Sequence, residues 1–459
     1  MLKRKIVCIG AGSRYFEDVL GELAVTKELA GSHVMLYDIN APRMATIMKV
    51  GRRIVAETEA DLSLDSTTNL SRALDGAHFA ISSVGVHGFS FEHHKKDSDI
   101  AAKFGVIHTT GDTVGPAGLS QGLRIVPIYL KIARAMEKYC PNVILLQHSN
   151  PMAVICRAIR KYTRINVIGY CHNVANDIHA FAETLGIPEK ELEVVIAGVN
   201  HMNWMLSIRH NGKNLYPELI RRMRARKSPQ RHIFALEAYE TLGIFPVAGD
   251  RHIIEFFPHS RRPTPPGGTR HLHYGLTPRS EWIKSYIAKG GHSWKWERLK
   301  QRAEGKRPLA IPTPDGMSPE AMGYQIRAMA FGNEILQYVN VPNAGSVTNL
   351  PDWAITEPKC IIGSHGARPI FVGELPPAAA RWSLAQIYAH ELTVDAAAEG
   401  SRDKAIAALA CDPMIRDFRE AVTLFDALVA AHGDWLKPFR KKPADKRYWP
   451  TIKAPVPID

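Results

Sequence analysis

Lys5-Ile6-Val7-Cys8-Ile9-Gly10-Ala11-Gly12-Ser13 is the stretch on which the fold turns. A short apolar run ends in a Gly-x-Gly turn, and the turn opens a helical pattern over residues 16–29. A second strand follows over 33–38 and closes on Asp38. Helical periodicity returns over 43–59, and then come a strand over 78–84, a helix over 123–139 and a strand over 142–147. Strands that alternate with helices at this spacing predict an α/β fold built on a doubly wound parallel sheet.

The chemistry of the turn points to a dinucleotide. Glycines let the backbone approach a pyrophosphate, and the amide groups at the N-terminus of the following helix favour its negative charge. Gly10, Gly12 and Ser13 are therefore candidate cofactor-binding residues. Asp38, at the end of the second strand, is placed to accept hydrogen bonds from ribose hydroxyls, which favours NAD over its 2′-phosphorylated relative. Arg43 is a candidate to stack on the adenine, and equally an ordinary surface arginine. The third glycine of the usual fingerprint is replaced by Tyr15, so the motif is incomplete.

Composition narrows the class. Of 459 residues, 45% are hydrophobic and 22% charged, as in an ordinary globular protein. No apolar run approaches the about 20 residues of a membrane span. Residues 1–5 lead straight into a strand without the apolar core of a signal peptide, so the expected location is cytoplasmic. The six cysteines form no CxxC pair and suit reduced thiols. The net charge of +13 is dispersed, without a zinc-finger spacing or an aromatic RNA-binding motif, so neither nucleic acid nor membrane is an expected partner. An anionic substrate is compatible with that charge.

Beyond Asn150 the pattern changes. Residues 151–162 and 173–185 are helical in pattern, and 194–208 holds two apolar runs around a polar centre. Two Pro-rich loops are expected over 258–279 and 306–319, a long helix over 378–410 broken at Gly400, and a basic surface tail from 437. Three short polar segments each follow a strand-like run: Gln147-His148-Ser149-Asn150, Gly169-Tyr170-Cys171-His172-Asn173 and Gly198-Val199-Asn200-His201. In open α/β sheets such strand ends face the ligand crevice. A thiolate and an imidazole arriving from two of these segments, Cys171 and His201, are candidate ligands for a divalent metal. Taken singly, each reads as well as a packed side chain.

The ordered set of motifs resembles glycoside hydrolase family 4 over nearly the whole chain. It comprises Gly10-Ala11-Gly12-Ser13, Gly111-Asp112-Thr113-Val114-Gly115-Pro116, Asn150-Pro151-Met152, Cys171-His172, Asn200-His201, Val339-Asn340-Val341-Pro342-Asn343, Thr348-Asn349-Leu350-Pro351 and Gly373-Glu374-Leu375-Pro376. The resemblance implies a Rossmann-like domain over 1–170. A C-terminal α+β domain like that of lactate and malate dehydrogenases would follow over 171–459, binding substrate and metal and joining subunits of a homodimer or homotetramer. It also implies NAD and a divalent metal, usually Mn2+, used in a redox route to hydrolysis that departs from the two-carboxylate mechanism. Carried onto this chain, Cys171 and His201 become the metal ligands and Asp112 joins the cofactor-binding residues. Asn150 and Asn173 hold sugar hydroxyls, with His252 also at the substrate, and His172 lies near the leaving group. Asp250 is the candidate base, His252 the runner-up, and an Asp250 paired to Arg251 or Arg261 the plainer alternative.

A Cys-His start resembles members acting on unphosphorylated α-glucosides, α-galactosides and hexuronides. A neutral α-galactoside or α-glucoside is therefore favoured, with a hexuronide next because of the Arg- and His-rich stretch over 251–273. Two rivals share the N-terminal pattern: an NAD-dependent 2-hydroxy-acid dehydrogenase and a non-catalytic NAD-binding sensor. Neither requires Cys171 together with His201.

Overall fold

The structure is a computed structural model that describes residues 3–86, 91–225, 232–258, 274–291, 293–313, 317 and 321–440, with the backbone of 263–264 and 268–269. Six strands form one parallel sheet: β1 (Lys5–Ile9), β2 (Ser32–Tyr37), β3 (Leu62–Thr67), β4 (Phe79–Ser82), β5 (Ile144–Gln147) and β6 (Asn166–Gly169). Their order is β3-β2-β1-β4-β5-β6, so the winding reverses between β1 and β4. Val7 lies opposite Met35 of β2 on one side and Ala80 of β4 on the other.

Both faces of the sheet are covered, which is why β1 reads as an unbroken apolar run. Ile6 and Cys8 pack with Phe16, Val19 and Leu23 of α1 (Tyr15–Val25) and Ile47 of α2 (Ala41–Thr58). Val7 and Ile9 face the opposite layer, among Tyr129 and Ile132 of α5 (Gly115–Tyr139) and Ile155 and Ile159 of α6 (Met152–Tyr162). Helix α5 starts eight residues before the expected 123, because Pro116 enters the first turn, where its fixed φ and missing N–H cost nothing. Between these elements lie the short α3 (Leu70–Leu74) and α4 (Glu92–Lys103).

Past β6 the architecture becomes antiparallel. After α7 (Asn173–Leu185), β7 (Glu193–Val199) and β8 (Met202–His210) form a hairpin, with Phe245–Val247 pairing alongside β8. Their apolar faces, with Trp204 and Phe245 fully buried, share a core with Phe181 of α7. The long helix Pro377–Glu399 packs against α5 and α6 and ends at Gly400 in the left-handed conformation, before the helix Arg402–Cys411. Part of the C-terminal half also joins the core of the parallel sheet: Leu299, Met322, Ile326 and Cys360 lie in the same cluster as Ile6 and Cys8.

Among the described residues no helix is long and apolar enough to cross a membrane. All six cysteines are reduced thiols. Much of the two Pro-rich loops and the tail over 441–459 lies outside the described residues.

Candidate active site

The nucleotide turn sits where the strand order reverses. Gly10 and Ala11 both donate their amides to Tyr37 O, at 2.9 and 3.0 Å, which ties the turn to the end of β2. Gly10 has φ of +84°, and a Cβ there would lie 2.4 Å from Ser83 O, so only glycine fits. Gly12 donates to Asp38 Oδ2 at 2.7 Å, and the Asn40 amide donates to Oδ1 at 2.7 Å. Each of those carboxylate oxygens keeps a second lone pair for a hydroxyl. Ser13 Oγ lies 3.3 Å from the Tyr15 amide and 3.5 Å from Ser83 Oγ. Arg43 donates from Nε to Gly12 O and lays its guanidinium on Trp296, 3.6 Å from the ring centre. The face expected to meet an adenine is thus packed on protein, and Arg43 braces the turn. Tyr15, in the third glycine's place, bonds His148 Nε2 at 2.9 Å. An N-terminal helix end, two glycines without room for a side chain and an acid on β2 suit a dinucleotide.

Cys171 and His201, separated by 30 residues, come together at the carboxyl end of the same sheet. β6 is fixed on one side by Gly169, whose amide and carbonyl pair with Asn340 at 3.0 and 2.7 Å, so Cys171 leaves it in a set direction. Asn200-His201 is the two-residue tip of the β7–β8 hairpin, and His201 takes φ of +65°. Cys171 Sγ stands 3.3 Å from His201 Nε2. The opposite ring nitrogen, Nδ1, is 2.6 Å from Thr113 Oγ1, and that hydroxyl is 2.8 Å from Asp112 Oδ1. Asp112 Oδ2 accepts from Asn150 Nδ2 at 3.0 Å. Burial pushes His201 down to about 3, so its imidazole is neutral and carries a lone pair. Burial alone would raise the Asp112 pKa, but the adjoining His201 and His252 imidazoles and the hydrogen bond from Thr113 hold it well below the carboxylate range. A thiol, a neutral imidazole and a carboxylate converging here suit a divalent metal.

These groups line one cleft of about 960 Å³, together with His172, Asn173, Asp250 and His252. His172 precedes the first turn of α7, which Asn173 opens. The structure also ties Asp250 to the scaffold, since its oxygens accept from the Phe234 and Ala235 amides at 2.9 and 3.0 Å, capping the helix Ile233–Leu242. Burial raises its pKa all the same. It makes no ion pair with Arg251 among the described residues, and Arg261 lies outside them. Asp112 faces the cleft beside His201 rather than the Gly10 turn.

Several residues not among the sequence candidates complete the site. Thr113 bridges His201 to Asp112. Glu255 gathers the amides of Thr109, Thr110 and Gly111 and so fixes the loop that carries Asp112. Glu357 is fully buried and receives amide groups from Asn200, Asn203 and Asn340. Arg251 and Arg279 also line the cleft, and neither pairs with a carboxylate among the described residues. The Arg279 guanidinium rests on Trp282, 4.7 Å from its ring centre.

Residues 5–187 match the family 4 glycosyl hydrolases, and residues 196–415 match the family 4 glycosyl hydrolase C-terminal domain. The chain is 29% identical over 442 residues to an α-galactosidase of Bacillus subtilis, covering 95% of this chain and all of that protein. It is also 29% identical over 455 residues to an α-galacturonidase of the same organism, covering 93% and 96%. Among solved structures, the LplD protein of Bacillus subtilis superposes with a TM-score of 0.80 at 27% identity, over 93% of this chain and 99% of that one. A 6-phospho-α-glucosidase from gut microorganisms, solved in complex with NAD and Mn2+, gives 0.72 at 21% identity over 95% and 99%, a likeness of fold. Malate dehydrogenase from Plasmodium falciparum shares the fold more distantly, with a TM-score of 0.51 over 86% of this chain and 99% of that one, at 14% identity.

Proposed function

Because the chain belongs to glycosyl hydrolase family 4, and is thus a glycoside hydrolase, we propose that it cleaves an unphosphorylated α-glycoside by oxidation, elimination and re-addition. The observation that carries this is the 3.3 Å approach of Cys171 to His201 at the carboxyl end of a sheet whose first turn is built for a dinucleotide. A hydrolase working with two carboxylates alone needs neither feature.

When bound, NAD+ would supply a hydride acceptor for C3 of the sugar, and a divalent cation such as Mn2+ would supply Lewis-acid stabilisation of charge at C2 and C3. Gly10, Gly12, Ser13 and Asp38 hold the nucleotide, with Arg43 behind the turn. Cys171 and His201 hold the cation. Asn150 and Asn173 orient sugar hydroxyls. Asp250 removes the acidified C2 proton, a role that its burial-raised pKa suits. His172 protonates the departing glycosidic oxygen at C1. Water then adds at C1 and gives one proton back to His172, Asp250 returns its proton to C2, and the C3 carbonyl is reduced again, so no net oxidation remains.

Residues 1–170 serve the nucleotide in this reading and 171–459 the metal, the sugar and the contacts of a homodimer or homotetramer. Reduced thiols and the absence of a membrane-crossing helix among the described residues suit a cytoplasmic enzyme. For the sugar, α-galactoside or α-glucoside is the first reading. A hexuronide is the second, favoured by Arg251 and Arg279, which lack carboxylate partners among the described residues and are placed for a sugar carboxylate.

Nitrophenyl α-galactoside, α-glucoside and α-galacturonide, each offered with NAD+, Mn2+ and a thiol reductant, test the proposal. Nitrophenol release that needs both cofactors, without stoichiometric NADH and with solvent deuterium entering at C2, is the expected result. Cleavage without cofactors, or steady NADH accumulation as from a 2-hydroxy-acid dehydrogenase, refutes it. Nucleotide binding without any turnover would leave a sensor.

A further inference from the structure

Residues 248 and 249 form a turn whose backbone leaves the conformations that L side chains favour, with φ of +139° at Ala248 and +73° at Gly249. A non-glycine residue keeps such a φ only where its surroundings impose it. The strand Phe245–Val247 enters the turn beside β8, with Val247 opposite Asn203. The short helix Asp250–Ile253 leaves it, carrying Asp250 and His252 into the cleft. Between these two elements the constraint comes from α7. Asp177 is buried on that helix, and its Oδ2 accepts from the Ala248 amide at 2.8 Å and the Gly249 amide at 3.1 Å.

We propose that Asp177 is a positioning residue for proton removal at C2, holding the turn that presents Asp250 to the sugar. This rests on the reading of Asp250 as the base. In that step the C2–H bond breaks and its proton passes to an Asp250 oxygen. The electron pair moves into the C2–C3 bond, and the C3 carbonyl oxygen takes up the charge. Two consecutive amides converging on one carboxylate oxygen fix the direction of the turn, and bonds to an ionised acceptor are about twice as strong as neutral ones. The other Asp177 oxygen faces His232 Nε2 at 3.9 Å. His232 precedes the helix whose Phe234 and Ala235 amides hold the Asp250 carboxylate, so Asp177 adjoins both supports of the base.

Helix α7 is itself anchored, since Ile178, Phe181 and Leu185 lie in the core that contains Phe245 and Val247. It also carries His172 at its N-cap, about 7.5 Å along the axis from Asp177. One rigid element thus places the proposed acid directly and the proposed base through Asp177. An asparagine at 177 would still offer a carbonyl oxygen with two lone pairs to the two amides.

The test uses the full chain with NAD+, Mn2+ and a nitrophenyl glycoside that the parent cleaves, carrying deuterium at C2 or at C3. Asp177→Ala is expected to lower kcat by about 10- to 150-fold, the worth of one charged hydrogen bond, with KM within threefold. The C2 isotope effect should rise and the C3 isotope effect fall towards one. Asp177→Asn should bring kcat back to within threefold of the parent. Hydrogen exchange of the chain without cofactors, read by mass spectrometry over 245–256, should quicken at the 248 and 249 amides in Asp177→Ala alone. If the alanine variant does not fold, Asp177→Leu keeps the branched shape without an acceptor and carries the same comparison. A kcat within twofold of the parent overturns the proposal. So does a lower kcat with both isotope effects unchanged, which marks a residue needed for structure only. If the parent itself takes up no solvent deuterium at C2, the base reading fails before any variant is made, and the proposal with it.

Discussion

Replacing Thr113 by Val removes one hydroxyl and almost no volume, and it tests whether His201 is a prepared ligand. Thr113 Oγ1 stands 2.6 Å from His201 Nδ1 and 2.8 Å from Asp112 Oδ1, inside a buried wall. The relay runs from the Nδ1 proton to the hydroxyl and on to the carboxylate. It fixes the tautomer in which Nε2 presents its lone pair towards Cys171. In Thr113→Val the buried Nδ1–H is left without a partner, at a cost of about 1–3 kcal/mol. The neutral ring escapes that cost by moving its proton to Nε2, where it opposes the cation. The same free energy then appears as roughly a 5- to 150-fold loss of Mn2+ affinity, in line with the 10- to 100-fold typical of lost outer-shell partners. Calorimetric titration with Mn2+ on Thr113→Val and Thr113→Ser measures it, the serine variant retaining the hydroxyl and most of the affinity. An affinity within twofold of the parent for Thr113→Val would refute the relay.

Gly10→Ala forces a Cβ to within 2.4 Å of Ser83 O at φ of +84°, so NAD+ affinity is expected to fall at least tenfold, as read by cofactor fluorescence. Arg279→Gln should lower kcat/KM for a nitrophenyl α-galacturonide by about 10- to 150-fold, the worth of one charged hydrogen bond, and barely touch the galactoside. Equal losses on both sugars would remove the hexuronide reading. Burial pushes Glu357 up to about 7, above its ordinary 4.5. Between those values the folded chain keeps a proton that the unfolded chain has lost, so stability falls as pH rises through that window. Glu357→Gln should flatten this part of the Tm-versus-pH profile, and an unaltered slope would assign the effect elsewhere.

How much of this is legible in the sequence depends on where each signal is stored. β1, β2 and the Gly10 turn carry theirs locally, in an apolar run covered on both faces and in glycines without room for a side chain. β3 leaves only a weak signal, because Leu62–Thr67 is an edge strand with just two apolar residues, Leu62 and Leu64. Cys171 and His201 are legible as two candidates, but only the tertiary fold sets them 3.3 Å apart. Thr113 is within reach, since it follows Asp112 in the 111–116 motif and a metal-binding histidine needs a partner for its second nitrogen. Glu255 and Glu357 are out of reach. Glu255 acts on backbone amides, and Glu357 on Asn200 and Asn203, more than a hundred residues away, and neither lies in a distinctive motif. Asp250 shows the converse: its cleft position follows the family pattern, while its grip on Phe234 and Ala235 is visible only in space.

Glu357 explains why the two halves of the chain must fold together for the site to exist. Asn200 adjoins His201 at the hairpin tip, Asn203 is the second residue of the return strand, and Asn340 pins the end of β6 just before Cys171. One buried carboxyl therefore braces both segments that deliver the proposed metal ligands. Three side-chain amides donate to it, which offsets much of the cost of burying it. The His201 backbone at φ of +65° is a conformation that a non-glycine residue keeps only when its surroundings impose it. The bonds from Asn200 and Asn203 on either side of it supply that constraint. The shared core of Ile6 and Cys8 with Met322 and Cys360 acts at larger scale, fixing the second half of the chain on the face of the nucleotide sheet. The separation between the dinucleotide turn and the Cys171–His201 pair is thus set by packing rather than by a hinge. A reaction that passes a hydride and a proton across one sugar ring needs that fixed distance.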